Sequence, residues 1–130
     1  MSAWWQQMLL VAAGGALGSV GRFLTGEWMT RLSGTGFPWG TLAVNLAGSL
    51  LAGLVFAWLA GRDGAGAWLR LLLMVGVLGG FTTWSSFALE TLLLGRSGNT
   101  GAALAYVVAS VVGGLLLVWA GWRLGVQWRA

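Results

Sequence analysis

The chain has no cysteine, so disulfides and thiolate metal sites are both excluded. It has no histidine, which removes the commonest metal ligand and the side chain that titrates near neutrality. Lysine is absent too: all seven basic residues are arginine, set against three acids. Only 8% of residues are charged, where a soluble domain carries roughly a quarter. With 58% hydrophobic residues and a mean hydropathy of +0.82, the 130 residues read as an integral membrane protein in contact with a lipid bilayer. The pI of about 11.6 reflects the scarcity of acids. No arginine cluster is dense enough to track phosphates, so no nucleic-acid partner is expected. The N-terminal MSAWWQQ carries no basic side chain ahead of its apolar stretch, which predicts a retained first span rather than a cleaved leader. No nucleophile–base pair or metal-ligand cluster is visible, so an enzyme is not expected.

What is present is apolar length. Four stretches of roughly 20 residues or more read as spanning helices, at about 4–29, 39–60, 68–94 and 100–126. The stretches between them, TRLSGTGFP, GRDGAG and GRSGN, have the Gly, Ser, Asn and Arg content of short loops. The expected fold is therefore all-α, a single four-helix transmembrane domain over residues 1–130. Pro38, the only proline, falls near the first residues of span two, where its missing N–H costs little. Trp4, Trp5, Trp28, Trp39, Trp58, Trp68, Trp119, Trp122 and Trp128 lie near span ends, as interfacial belts require, and only Trp84 does not. The pairs Gly14 with Gly18, Gly76 with Gly80 and Gly121 with Gly125 predict close helix contacts.

Four spans place Arg62, Arg70, Arg123 and Arg129 on one side of the membrane and Arg22, Arg31 and Arg96 on the other. Four against three is a very weak orientation signal. It fits copies that insert both ways, and equally a small protein whose charges leave orientation unread. Four helices cannot enclose a wide aqueous channel, so a functional unit larger than one chain is expected.

Span three carries an interruption, GGFTTWSSF at residues 79–87. Gly79 and Gly80 each weaken a helix by roughly 1 kcal/mol, and the hydroxyls of Thr82, Thr83, Ser85 and Ser86 can bond nearby backbone. A break at membrane depth frees carbonyls on one side and N–H groups on the other, and is tolerated only inside protein or beside water. The competing reading is a kinked helix with hydroxyls bonded back to its own carbonyls. Thr41, Asn45 and Ser49 share one face of span two, and Tyr106 and Ser110 one face of span four. Asn45 needs either a partner on another helix or a polar pathway. Arg22 is placed to snorkel or to cap C-terminal carbonyls, and Glu90 to snorkel or pair with an arginine. Phe81, Trp84 and Phe87 recur every three residues and should share a flank of span three.

Such a lining suits an anion better than a cation. It offers hydroxyls, an amide, a phenol and the positive edges of aromatic rings, with no carboxylate at the midplane. The alternative is a small proton-coupled exporter of organic cations, which needs a membrane-embedded carboxylate. Span one offers only Glu27, near its end, while Glu90 lies in span three.

GGALGSVGRF at 14–23, FPWGTLAVNLAGS at 37–49, GGFTTWSSFALET at 79–91 and the Tyr106–Ser110 pair together resemble the Fluc family of fluoride channels, in order and over nearly the full length. The resemblance implies an antiparallel, dual-topology homodimer in the cytoplasmic (inner) membrane that exports fluoride passively through two pores. It implies a structural Na⁺ at the dimer centre, held by the backbone carbonyls of Gly79 and Thr82, with Arg22 and Gly80 in structural roles. It also implies an anion pathway through Asn45, Trp84, Ser85, Ser86, Phe87 and Tyr106, with Thr41 and Ser110 as further track positions. Trp84 stands where the family usually has Phe, keeping a positive ring edge and adding an indole N–H. Its larger ring is expected to slow conduction or alter selectivity. Ser86 stands where Thr is common, and keeps the hydroxyl.

Overall fold

In hydrocarbon a backbone must satisfy its own polar groups, and runs of leucine, valine, alanine and glycine do so here as helices. The computed structural model describes residues 3–129, and four of its helical stretches are long and apolar enough to cross a membrane. Helix α1 is Trp4–Ser33, α2 is Trp39–Leu59, and the third span covers Ala65–Arg96. The last span is one unbroken helix, Thr100–Arg129.

The 30 residues of α1 extend roughly 45 Å at 1.5 Å per residue, and overrun a ~30 Å hydrocarbon core. Hydropathy alone therefore cannot locate its end: Thr30, Arg31 and Ser33, read from sequence as loop, continue the helix into the headgroup layer. Gly34 stops it with a φ of +75°, its N–H bonding the Thr30 carbonyl at 2.8 Å. Pro38 is the N-cap of α2 and its carbonyl accepts from Leu42 N–H at 3.1 Å, so its missing donor is one the helix start does not use.

The third span is built in pieces. A short helix α3, Ala65–Leu69, runs into a π-helical segment, Arg70–Leu78, then α4, Gly79–Phe81, and after a break α5, Trp84–Arg96. The final span is α6, Thr100–Arg129. Nothing in the aliphatic run RLLLMVGVL marks its wider π turn in advance.

Two tight pairings organise the bundle: α1 packs along the π segment and α4, and α2 along α6. All three predicted glycine pairs lie in these seams. A Cβ on Gly18 would collide with the carbonyl of Val77, and one on Gly121 with the carbonyl of Leu50. Helices approaching backbone to backbone gain dispersion contacts where no hydrophobic effect separates one apolar partner from another. The fully buried set is correspondingly small, led by Tyr106, Leu59 and Val44. Large apolar side chains such as Leu17, Leu104 and Leu115 are more than half exposed, a pattern suited to lipid and not to water.

Candidate functional site

The break falls one step later than the glycines suggest. Gly79 and Gly80 keep helical geometry, and Gly80 has no room for a Cβ beside the Gly15 carbonyl on α1. The absent side chain of Gly80 serves packing, whereas a Cβ on Gly79 would meet only the Met74 carbonyl at ordinary contact distance. The chain becomes extended at Thr82 (φ −89°, ψ 157°) and Thr83 (φ −151°, ψ 121°), and α5 restarts at Trp84. Both threonines close off a half-helix. Leu78 O accepts the Thr82 N–H at 3.0 Å and the Thr82 hydroxyl at 2.8 Å. Thr83 Oγ1 accepts from Ser86 N–H at 3.2 Å as the N-cap of α5.

Asn45 on α2 holds the extended pair. Its Nδ2 donates to the Thr83 carbonyl at 2.9 Å, and its Oδ1 accepts from the Thr83 N–H at 2.8 Å. The partner expected for a carboxamide at membrane depth is thus a peptide group, matched donor to acceptor and acceptor to donor. Ser49 Oγ donates to the Asn45 carbonyl at 2.7 Å one turn along, and Gly48 between them leaves space for the Thr82 methyl. Arg22 acts from the opposite helix, its Nε donating to Gly80 O at 3.0 Å. It caps a helix C-terminus, as its position in the sequence allowed, but that of α4 and not of its own helix.

These commitments leave two carbonyls without their regular partners. The Thr83 N–H that would bond Gly79 O is given to Asn45, and the Ser86 N–H that would bond Thr82 O is given to Thr83 Oγ1. Gly79 and Thr82 both line a cavity of ≈ 540 Å³, together with Asn45, Trp84, Phe87 and Ser110. No charged side chain lines it. The Ser110 Oγ is buried and has no hydrogen-bond partner, the only such side-chain atom among the described residues.

A second cavity of ≈ 280 Å³ opens at the α1–α2 loop, lined among others by Thr30, Phe37, Trp39, Thr41 and Glu90. Glu90 meets hydroxyls there and not an arginine: Thr41 Oγ1 donates to its Oε1 at 2.7 Å and Tyr106 Oη to its Oε2 at 2.8 Å. Between the two cavities lies a run of aromatic rings. Trp84 and Phe87 centroids are 5.0 Å apart, Phe87 and Tyr106 5.1 Å, Tyr106 and Phe37 5.4 Å, and Phe37 and Trp39 4.6 Å. The Phe87–Tyr106 and Phe37–Tyr106 pairs are edge-on. Phe87 and Tyr106 are buried within this run, whereas Trp84 is 74% exposed.

The structure therefore brings Asn45, Trp84, Phe87 and Ser110 around one cavity and Thr41 around the other, with Tyr106 between. Ser85 is exposed and Ser86 half-buried on the first turn of α5, and neither lines either cavity. Phe81 leaves the expected flank, because the extended residues reset the helical phase. Its ring packs near Gly21 and Gly48. Reading the sequence assigned no site role to Phe37, Trp39 or Glu90. The FPW run offered the only signal for the first two, and a carboxylate four residues from a span end gave none for Glu90.

Comparison with known proteins places these features in a family. The chain matches the family described as CrcB-like protein, Camphor Resistance (CrcB), over residues 9–122. It is 50% identical over 126 residues to the fluoride-specific ion channel FluC of Xanthomonas euvesicatoria pv. vesicatoria, covering 96% of this chain and 93% of that protein. It is 52% identical over 116 residues to the protein of the same name from Agrobacterium fabrum, covering 89% and 93%. A third, from Caulobacter sp. (strain K31), is 52% identical over 117 residues, covering 88% and 91%.

Proposed function

The chain belongs to the CrcB-like family, and from that premise we propose a fluoride-specific membrane channel whose working unit is two copies in opposite orientations. It is a channel and not an enzyme, and the named relatives favour fluoride conduction over a proton-coupled exporter. The observation that carries the reading within this chain is the uncharged cavity, with an uncommitted buried hydroxyl on Ser110 and aromatic rings leading away from it.

A fluoride ion is small and strongly hydrated, so a pathway must replace its water with donors at each step. Ser110 Oγ is free to donate where the path begins. The Phe87–Tyr106 pair is edge-on at 5.1 Å, and a bare anion is favoured against an aromatic edge and disfavoured against a face. Thr41 and Tyr106 give their hydroxyl protons to Glu90 in this arrangement, so either must rotate off that carboxylate to solvate an anion. No carboxylate lines the larger cavity, and the one at the smaller, Glu90, is engaged by the Thr41 and Tyr106 hydroxyls.

The opposed dimer is supported by the nearly even arginine distribution and by the exposure of Trp84 at the rim of a cavity that one chain does not close. The donor set around the break suits Na⁺, a hard cation that takes oxygen ligands. Gly79 and Thr82 offer carbonyls released from helix bonding, and no acidic side chain is required. Bound there, Na⁺ would supply a fixed positive charge tying two copies together at the breaks. The proposed location is the inner membrane, where passive efflux relieves internal fluoride.

Purified protein in liposomes is the test. Electrogenic F⁻ efflux with little Cl⁻ efflux is expected, and a folded assembly that passes no F⁻ refutes the proposal.

A further inference from the structure

Four of the seven arginines sit at the end of the bundle that carries the second loop and the end of α6, and three of them, Arg62, Arg70 and Arg129, converge on the last turn of α2. Arg62 Nε donates to the Trp58 carbonyl at 3.1 Å, and its guanidinium carbon lies 4.2 Å from the centre of the Trp58 ring. Arg129, reaching back from α6, donates through Nη1 to the preceding carbonyl, Ala57 O, at 3.0 Å. Arg70 lies over the ring of Phe56 at 5.8 Å, on that same turn. No carboxylate pairs with any of these three among the described residues.

Capping accounts for only part of this. A helix end gains from one cation near its carbonyls, and each guanidinium spends one of five N–H donors on its carbonyl here. Like charges gathered on one turn repel one another unless an anion lies between them. Arg62 and Arg129 are both exposed, so the rest of each fork is open to an outside acceptor. The fork matches phosphate oxygens in pairs.

We infer that the Arg62–Arg129 pair on the last turn of α2 is a binding site for the phosphate of an anionic phospholipid headgroup. The position selects lipid over a soluble phosphate. The pair stands where two spans end, with the Trp58 ring beneath Arg62 and the exposed indole of Trp128 beside Arg129 in sequence, both residues of the interfacial layer. Headgroup phosphates lie at that depth, and arginines near an anionic surface are attracted to it. The site is independent of what the pore conducts.

The test is native mass spectrometry of the purified assembly titrated with phosphatidylglycerol or phosphatidylcholine. The wild type should retain phosphatidylglycerol about thirty-fold more strongly, at on the order of 1 kcal/mol for each of the two arginines. Arg62→Gln with Arg129→Gln should weaken that retention about thirty-fold, at on the order of 1 kcal/mol for each arginine, leaving phosphatidylcholine unchanged. Arg31→Gln with Arg96→Gln, at the other end of the bundle, should leave both as in the wild type. Should the double glutamine variant fail to fold, Arg62→Lys with Arg129→Lys keeps the charge and loses the forks, and should weaken phosphatidylglycerol retention several-fold. Equal retention of the two lipids by the wild type, wild-type retention by the variant that folds, or displacement of the lipid by millimolar inorganic phosphate would each overturn the inference.

Discussion

Replacing Asn45 with alanine removes both hydrogen bonds that hold the extended Thr83 peptide, the 2.9 Å bond to its carbonyl and the 2.8 Å bond from its N–H. A buried donor or acceptor left unsatisfied costs roughly 1–3 kcal/mol, so two orphaned groups set a range of about 2–6 kcal/mol. The adjoining cavity of ≈ 540 Å³ is large enough to admit water, which would satisfy part of the loss. The lower end, about 2 kcal/mol, is the expected figure. It corresponds to a roughly thirty-fold shift toward a disordered break. Asn45→Asp should do no better, because its carboxylate has no donor for the Thr83 carbonyl. The assay pairs thermal unfolding in detergent with F⁻ efflux from liposomes, and both should fall together. Wild-type melting and wild-type flux in Asn45→Ala would refute the bracing role. Lost flux with unchanged melting would instead assign Asn45 to the anion alone.

Three further outcomes follow from the same contacts. Gly121→Ala places a methyl against the Leu50 carbonyl and should lower stability by about 1–3 kcal/mol, whereas Gly101→Ala faces open space and should be neutral or stabilising by up to about 1 kcal/mol; melting temperatures compare them directly. Tyr106→Phe deletes the 2.8 Å bond to Glu90 while keeping the ring stack, so stability should drop by about 1 kcal/mol and F⁻ flux by clearly more than that loss explains. Replacing Na⁺ with N-methylglucamine, too large for two backbone carbonyls, should lower the melting temperature of the assembly and reduce flux; indifference of both to the exchange would count against the cation site.

Span number, the loops and the existence of a break were legible because each rests on a strong one-dimensional signal: apolar length, Gly and Asn clusters, and hydroxyls where lipid should be. The placement of the break was less so. Gly79 and Gly80 looked like the weak point, but a glycine that lets α4 meet α1 is indistinguishable in sequence from one that ends a helix. The actual stop needs Asn45, thirty-eight residues away, to take the Thr83 N–H out of the ladder. The fate of Glu90 was hidden for a similar reason. Which of arginine, tyrosine or threonine it meets depends on how α2 and α6 flank α5, and periodicity within one helix carries no information about that. Thr41, Asn45 and Ser49 did share a face, yet that face serves three different partners.

The cut between α4 and α5 also has an electrical consequence. Peptide dipoles aligned along a helix leave about half a positive charge at its amide end and half a negative charge at its carbonyl end. Two extended residues, Thr82 and Thr83, separate the negative pole of the stretch ending at Phe81 from the positive pole of α5. Ions of either sign thus find a favourable pole at nearly the same depth in the bilayer. Because neither pole can gain or lose a proton, that polarity stays constant across every pH at which the helices survive.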